Sequence, residues 1–183
     1  PVSSTIMSEA DDVLRFWAEA GPKRWFARDD AFDRDFRERF VALHERAAAG
    51  EFDEDWATDA SSALALVILL DQFPRNSFRG SARAFATDER ARRVADRALE
   101  AKHDERVSAD MRFFFYLPFE HSESMADQDR SVSLHRAIGM PEWAEQHRDI
   151  IVRFGRFPHR NVALGRATTA EEQAFLDGGG FSG

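Results

Sequence analysis

The feature that most constrains the fold is a helical spacing of apolar residues along nearly the whole chain. One early set recurs at intervals of four, four, three and four residues: Phe32, Phe36, Phe40, Leu43 and Ala47. That spacing puts the set in one stripe along an α-helix. No segment alternates apolar and polar residues as a half-buried strand does, and no Asn-Gly or Asp-Gly hairpin turn occurs. The pattern predicts an all-α protein of about eight helices in antiparallel pairs.

Capping residues and helix breakers set the expected helix boundaries. Predicted helices begin near the following residues: Ser8, Asp29, Asp59, Thr87, Ser108, Ala126, Pro141 and Thr168 or Thr169. Pro74 is predicted to stop the third helix, because proline lacks the N–H group that a helix interior needs. Pro118 is predicted to kink or break the fifth helix. Gly155 is predicted to close the seventh.

The length and the lack of a linker predict one domain. The 183 residues are expected to divide into a single all-α domain at 8–177, an N-terminal extension at 1–7 and a flexible Gly-rich tail at 178–183. The longest apolar run, Ala63–Leu70, is far shorter than a membrane span. Residues 1–6 lack the pattern of a signal peptide, so the cytoplasm is the expected location and no membrane partner is expected.

Composition excludes several classes of function. A formal net charge of −8 argues against a general nucleic-acid binder. The absence of cysteine excludes a disulfide framework, a thiolate nucleophile and a Cys-ligated zinc site. No phosphate-binding glycine loop is present, and no cofactor is predicted. Trp56 and Trp143 would suit a homodimer if they lie on the surface, although single exposed aromatic residues are ordinary.

Two similar segments each follow a strongly apolar helix. The first elbow, Asp71–Asn76, reads Asp-Gln-Phe-Pro-Arg-Asn, and the second elbow, Gly155–Asn161, reads Gly-Arg-Phe-Pro-His-Arg-Asn. Five arginines lie in or beside the elbows: Arg75, Arg79, Arg156, Arg160 and Arg166. One interpretation is an anion-accepting face, because guanidinium groups bind carboxylate and phosphate in a bidentate manner. The other is structural, with helix-end caps and ion pairs to nearby carboxylates.

The densest polar cluster is Glu120-His121-Ser122-Glu123, which follows an aromatic block at residues 113–119. If this stretch is helical, Glu120 and Glu123 share one face and His121 lies on the next. The cluster predicts a polar pocket wall. A hydrolase triad of adjacent residues is excluded, because its members must converge in space. Histidines at 121, 147 and 159 give only a weak metal pattern, and no metal is predicted.

These patterns leave three hypotheses open. The first is a concave Arg/His/Glu-lined pocket for a small anionic molecule or a peptide carboxylate. The second is a hydrolase-type or other enzyme in which His121 or His159 acts as acid–base, with Glu123 orienting the imidazole or joining a metal site. The third is a scaffold whose motifs only end helices. The candidate ligand-binding residues are Asp71, Gln72, Arg75, Asn76, Arg79, Tyr116, His121, Glu123, Asp127, Gln128, Arg156, His159, Arg160, Asn161 and Arg166.

Three long motifs occur in order and carry a family resemblance. They are Leu69–Asn76 with Arg79-Gly80 and Ala84–Asp88, Tyr116–Glu123 with Asp127-Gln128, and Arg153–Asn161 with Leu164-Gly165-Arg166. Together they resemble the bacterial family catalogued as domain of unknown function 924, over nearly the whole chain. The resemblance implies a tetratricopeptide-repeat-like right-handed superhelical stack of antiparallel helices with a concave surface. It implies no reaction, and an analogy of fold alone does not assign one.

Overall fold

The computed structural model describes residues 8–183, and every regular element in that range is helical. The α-helices are α1 (Glu9–Trp25), α2 (Asp30–Ala48), α3 (Ala60–Val67), α4 (Phe73–Ser77), α5 (Asp88–Glu100), α6 (Leu117–Glu120), α7 (Met125–Ala137), α8 (Glu142–Phe154), α9 (Asn161–Leu164) and α10 (Ala170–Asp177). A π-helical segment (Ile68–Gln72) joins α3 to α4, and short 3₁₀ turns lie between other helices. The all-α prediction is confirmed. The superhelical stack stays a prediction, and the predicted extension at 1–7 lies outside the described residues.

Several helix ends form where the local signals predict them. The Ser8 hydroxyl accepts from the Asp11 N–H and the Asp11 carboxylate accepts from the Ser8 N–H, which is a capping box. Thr169 and Glu172 form the same box at the start of α10. Gly155 has φ 72° and ends α8 in the left-handed conformation that glycine adopts without strain. Local sequence therefore determines these boundaries.

The predicted helix stop at Pro74 is wrong. Helix α3 continues through the π-helical segment into α4, with Pro74 inside the continuous helix. Pro74 has no N–H to offer the carbonyls of the preceding turn. The Leu69 carbonyl instead accepts from His44 Nδ1 at 2.8 Å, and the Leu70 carbonyl accepts from Thr87 Oγ1 at 2.6 Å. Two side chains from other elements thus satisfy carbonyls that a proline would otherwise leave unpaired.

The predicted fifth helix is also wrong in detail. In place of one long helix, a 3₁₀ turn at Arg112–Phe115 precedes the short α6, which contains Pro118 in its first turn. The chain then turns before α7. The Gln128 side-chain amide holds this turn by donating to the carbonyls of Glu120 and Ser122, both at 2.7 Å. The acidic residues of this region therefore do not share one helical face.

The helices enclose a large aromatic core and a smaller second core. Helix α1 packs on α3, α2 on α4, α3 on α5, and α7 on α8. The large core includes the fully buried Trp17, Phe36 and Phe73. The smaller core centres on Ile150, Ile151 and Phe157, beside the second elbow.

Two further surface features bear on the predictions. Trp143 is 62% exposed, whereas the Trp56 ring stacks on Phe52 with centroids 4.2 Å apart. Of the two tryptophans considered for a homodimer, Trp143 is the one that lies largely on the surface. Within residues 8–183, no helix has the length and apolar character that crossing a bilayer requires.

Candidate functional site

A fully buried carboxylate, Asp71, lies at the centre of the site. The π-helical turn at the start of the first elbow carries Asp71 into the interior, and wide turns of this kind often occur at functional positions. Its oxygens accept hydrogen bonds from Gln72 Nε2 at 2.8 Å, Arg75 Nη1 at 3.3 Å and His121 Nδ1 at 2.8 Å. A buried charge needs such partners, and three side chains supply them.

The Asp71 carboxylate determines which His121 nitrogen carries the proton. Burial alone would raise the pKa of Asp71, but His121 and Arg75 lower it to about 2, so Asp71 is ionised and only accepts. Nδ1 is therefore the donor. Burial and Arg75 lower the pKa of His121, so the ring is neutral at pH 7 and Nε2 carries a lone pair. No described residue hydrogen-bonds to Nε2, and the side chain keeps 13% of its surface exposed.

Arg75 bridges two buried carboxylates. Its Nη1 and Nη2 donate to the two oxygens of Asp88, at 2.7 and 2.9 Å, while Nη1 also lies 3.3 Å from Asp71. Burial would lower the pKa of Arg75, but Asp88 and Asp71 raise it. Arg75 was a candidate to clamp an external anion, and the structure shows its guanidinium engaged by the protein's own carboxylates.

Arg160 brings the second elbow to the same place. Its Nη2 donates to the His121 carbonyl at 2.8 Å, and Nη1 lies 3.9 Å from Asp88. The guanidinium stacks between Phe85 and Phe157, 4.6 Å from each ring centroid. Of its five N–H donors, that bond to His121 is the one hydrogen bond within the described residues, and the buried Nε is unpaired. Burial and Arg75 lower the pKa of Arg160 to about 10.

Three predicted residues from distant parts of the chain thus converge. Arg75 and Arg160 both approach Asp88, and His121 contacts both elbows through Asp71 and its own carbonyl. The scaffold hypothesis predicts elbows that lie far apart. The observed convergence favours a shared site at this junction between the two cores.

The other three arginines are paired elsewhere. Arg79 Nε donates to Asp33 at 2.8 Å, and Arg156 binds Glu172 with Nε and Nη2 at 2.9 and 2.8 Å. Arg166 binds Glu123 at 2.8 Å. These arrangements match the structural interpretation of the arginines.

Glu123 does not orient the imidazole. Its carboxylate accepts from Arg166 and, at 2.6 Å, from the Phe157 N–H. The group that orients His121 is Asp71, and the role predicted for Glu123 is wrong. Glu123 is only two positions from His121 in the sequence, but its side chain points away from the imidazole because the chain turns between α6 and α7.

Most of the remaining candidate residues form hydrogen bonds with other parts of the protein. Tyr116 donates to Asp104 at 2.6 Å, Asp127 accepts from Ser122 at 2.6 Å, and Asn161 Oδ1 accepts from Arg166 at 3.0 Å. Gln128 holds the turn before α7 and Gln72 binds Asp71, as described above. The Asn76 side chain is buried.

His159 lies in the second elbow beside an aromatic residue of the C-terminal segment. The ring of Phe181 lies 5.0 Å from His159 and 4.7 Å from His147. Burial and Arg160 lower the pKa of His159 to about 3, so it is neutral at pH 7. His147 in turn lies 6.4 Å from His121, measured between ring centroids.

Sequence reasoning missed the importance of two acidic residues. The first family motif ends at Asp88, yet no pattern in the sequence marks Asp88 as the carboxylate that both elbows approach. Glu120 was grouped with Glu123, yet it is buried between two histidines of α7 and α8. A weak signal for Glu120 was available, since a charged residue directly after an aromatic block must be either exposed or specifically buried.

The structure also bears on metal binding and on open grooves. Within residues 8–183, no three His, Asp or Glu side chains are arranged to hold a metal ion. A groove of 610 Å³ lies between α7 and α8, lined by Asp129, Val132, Ser133, Arg136, Glu145, Arg148 and Asp149. None of the candidate residues lines that groove.

Comparisons with known proteins identify relatives without an assigned reaction. The model of a family described as a bacterial protein of unknown function (DUF924) matches residues 13–180. A solved structure, that of the protein of unknown function ATU0120 from Agrobacterium tumefaciens, is similar with 51% sequence identity and a TM-score of 0.90. The match covers 92% of this chain and 97% of that one. No curated protein matches the chain.

Proposed function

The chain belongs to the bacterial DUF924 family of unknown function, and we propose from its own geometry that it catalyses hydrolysis of a small anionic substrate, with His121 as the general base. The observation that carries the proposal is the 2.8 Å hydrogen bond between His121 Nδ1 and the buried Asp71. A carboxylate that fixes the tautomer of a neutral imidazole leaves the opposite nitrogen free to accept a proton.

Arg160 supports an anionic substrate. Its guanidinium lies over two aromatic rings and bonds to the His121 carbonyl, but uses few of its donors. An anionic group beside it would gain charge-assisted hydrogen bonds in a poorly solvated place, where such bonds are strong. Arg75 offsets part of the negative charge of Asp71 and Asp88, so these carboxylates repel an incoming anion less. The site thereby combines the first two hypotheses, anion binding and acid–base chemistry.

The degree of burial favours a small substrate over a peptide. The side chains of His121 and Arg160 are only 13% and 7% exposed. A peptide carboxylate would need an open groove at this position, whereas a compact molecule needs a narrow opening and a modest side-chain movement. We therefore assign the site to a small molecule.

Water is the expected nucleophile. Ser122 follows His121 in the chain, but its hydroxyl donates to Asp127 at 2.6 Å. In the proposed step, His121 Nε2 takes a proton from a water molecule as the water oxygen attacks the ester or amide carbon, or the phosphorus, of the substrate. The protonated imidazole then returns the proton to the leaving group.

The test uses 4-nitrophenyl esters that carry a carboxylate or a phosphate group. Wild type is expected to hydrolyse at least one of them, and His121→Asn to reduce kcat by roughly 100-fold or more, the usual contribution of a general base. Arg160→Met is expected to raise KM more than it lowers kcat, because it removes an interaction with the bound anion.

His103→Gln is the matched control. His103 is a buried histidine whose Nε2 lies 3.0 Å from the Ala57 carbonyl, in another part of the fold. It should retain wild-type kinetics, and circular dichroism should show that all variants are folded. No turnover of any of these esters by wild type, or equal turnover by folded His121→Asn protein, contradicts the proposal.

A further inference from the structure

A second buried carboxyl group, Glu120, lies one residue before His121 and has a different environment from Asp71. Its side chain is 5% exposed. Its Oε1 lies 3.9 Å from His135 Nε2 and its Oε2 lies 3.9 Å from His147 Nε2. Among residues 8–183, neither oxygen accepts a hydrogen bond, and Oε1 is a buried, unpaired atom facing the equally unpaired His135 Nε2.

The tautomers of the two histidines follow from their other contacts. His135 Nδ1 lies 2.8 Å from the Ser131 carbonyl, and His147 Nδ1 lies 2.7 Å from the Trp143 carbonyl. Because a carbonyl oxygen only accepts, both Nδ1 atoms carry the hydrogen. A neutral ring with its hydrogen on Nδ1 presents the Nε2 lone pair, and both lone pairs face Glu120.

Burial keeps these histidines neutral. Burial lowers the pKa of His135, and burial together with His121 lowers the pKa of His147 to about 3. The three side chains therefore form a set of hydrogen-bond acceptors at neutral pH unless the carboxyl group itself carries a proton. In an apolar enclosure, the neutral acid costs less free energy than a carboxylate without a cation.

We propose that Glu120 is a neutral carboxylic acid in the native protein, and that its proton keeps the neighbouring site receptive to an anion. Glu120 is a positioning residue in this proposal, acting through charge and not by contact with substrate. Two guanidinium groups, Arg75 and Arg160, balance two carboxylates, Asp71 and Asp88. Ionisation of Glu120 would add one unbalanced negative charge beside them. The effect of the Glu120 proton on anion binding rests on the proposed function, whereas the protonation state itself does not.

The charged groups around Glu120 agree with this assignment. His135 faces it from α7, His147 from α8, Asp71 from the π-helical segment and Arg75 from α4. Burial and the Asp71 carboxylate raise the pKa of Glu120 to about 8, and Arg75 opposes them only in part. Asp71 is ionised and Glu120 is neutral, and two carboxyl groups with such different acidities are typical of divided roles in a catalytic site.

Infrared difference spectroscopy tests the protonation state directly. Wild type at pH 6.5 should show the carbonyl-stretching band of a buried protonated carboxyl group, and the band should disappear as the pH rises through about 8. Glu120→Gln should lack the band. Its amide is expected to preserve the fold, because glutamine has nearly the size and shape of a neutral glutamic acid and carries no charge. Glu145→Gln, which changes the carboxylate of an α8 surface ion pair with Arg136, should keep the band. A wild-type spectrum without the band, or a Glu120→Gln spectrum that retains it, overturns the proposal.

The pH profile of ester hydrolysis tests the link to the site. Wild-type kcat/KM should fall, by roughly tenfold in total, as the pH rises through about 8 and Glu120 ionises, and Glu120→Gln should abolish that fall. An equal reduction at every pH would show a merely structural role and overturn the link. The infrared result does not depend on turnover. If the ester experiments fail while the band behaves as expected, the proposed hydrolysis is wrong and the neutral acid stands.

Discussion

The two elbows share a sequence pattern but not a backbone or a chemical role. Each places a fully buried phenylalanine before a proline, Phe73 in the first and Phe157 in the second. Each then sends one arginine toward Asp88, Arg75 from the first and Arg160 from the second. Similar side chains thus reach one carboxylate from two segments that are distant in sequence.

The first residue of each elbow determines how its backbone continues. Asp71 belongs to a π-helical turn, and the helix continues through the first elbow. Gly155 has φ 72°, so α8 ends there and the chain changes direction. Arg75 consequently lies beside a second carboxylate, that of Asp71, whereas no carboxylate of residues 8–183 lies within hydrogen-bond distance of Arg160. The comparison teaches that a shared motif can supply one arginine that is engaged by carboxylates and one with a single hydrogen bond among the described residues.

The largest expected effect is a difference in protein stability between variants of Arg75 and Arg160. Arg75→Met leaves Asp71 and Asp88 buried without their guanidinium, and should lower the free energy of unfolding by roughly 3–5 kcal/mol. Arg160→Met leaves one carbonyl without a donor and keeps an unbranched apolar side chain between the rings. It should cost about 1 kcal/mol. Urea unfolding followed by circular dichroism measures both values. Equal losses in the two variants would mean that the elbows have the same role.

A smaller effect distinguishes the elbows by acid sensitivity. Burial and Arg160 lower the pKa of His159 in the folded protein to about 3, against 6.5 in the unfolded chain. A lowered pKa contributes stability that is present above pH 6.5 and is lost as the pH falls toward 3. Asp71, with a folded pKa of about 2 against 3.8, loses its contribution only below about pH 4. Between pH 6.5 and 4.5, His159 should therefore contribute to the loss of stability, together with the other buried histidines, whereas Asp71 should not.

His159→Gln measures that contribution. The wild-type free energy of unfolding should fall with decreasing pH, and the substitution should remove up to roughly 1 kcal/mol per pH unit of that slope. Other buried histidines contribute the remainder in both proteins, so the difference between the two slopes isolates His159. Parallel slopes between pH 6.5 and 4.5 would contradict the contribution assigned to His159.

Local sequence predicted the helix ends better than it predicted the helix interiors. The capping boxes at Ser8 and Thr169 depend on residues three positions apart, so a reader of the sequence can find them. The continuation of the helix through Pro74 depends on His44 and Thr87, which are distant in sequence from the carbonyls they satisfy. Proximity of that kind is a property of the packed fold.

Long-range packing also limits how much of the candidate site can be predicted from the sequence. The motifs identified Arg75, Arg160 and His121 as candidates, and the structure brings all three together. They did not identify Asp88 as the common counterion, nor Asp71 as the group that orients His121. Sequence proximity favoured Glu123 for that role, and the turn between α6 and α7 directs Glu123 to Arg166 instead. Which carboxylate meets which base is decided by long-range packing that no local pattern records.

The central claim is that His121 is a neutral base whose free nitrogen is Nε2, and nitrogen-15 NMR of the histidine side chains tests it most directly. At pH 7, the His121 spectrum should show a protonated Nδ1 and an unprotonated Nε2, with a pKa below 6.5. A proton on Nε2 at pH 7, in either the other tautomer or the imidazolium form, would contradict the account.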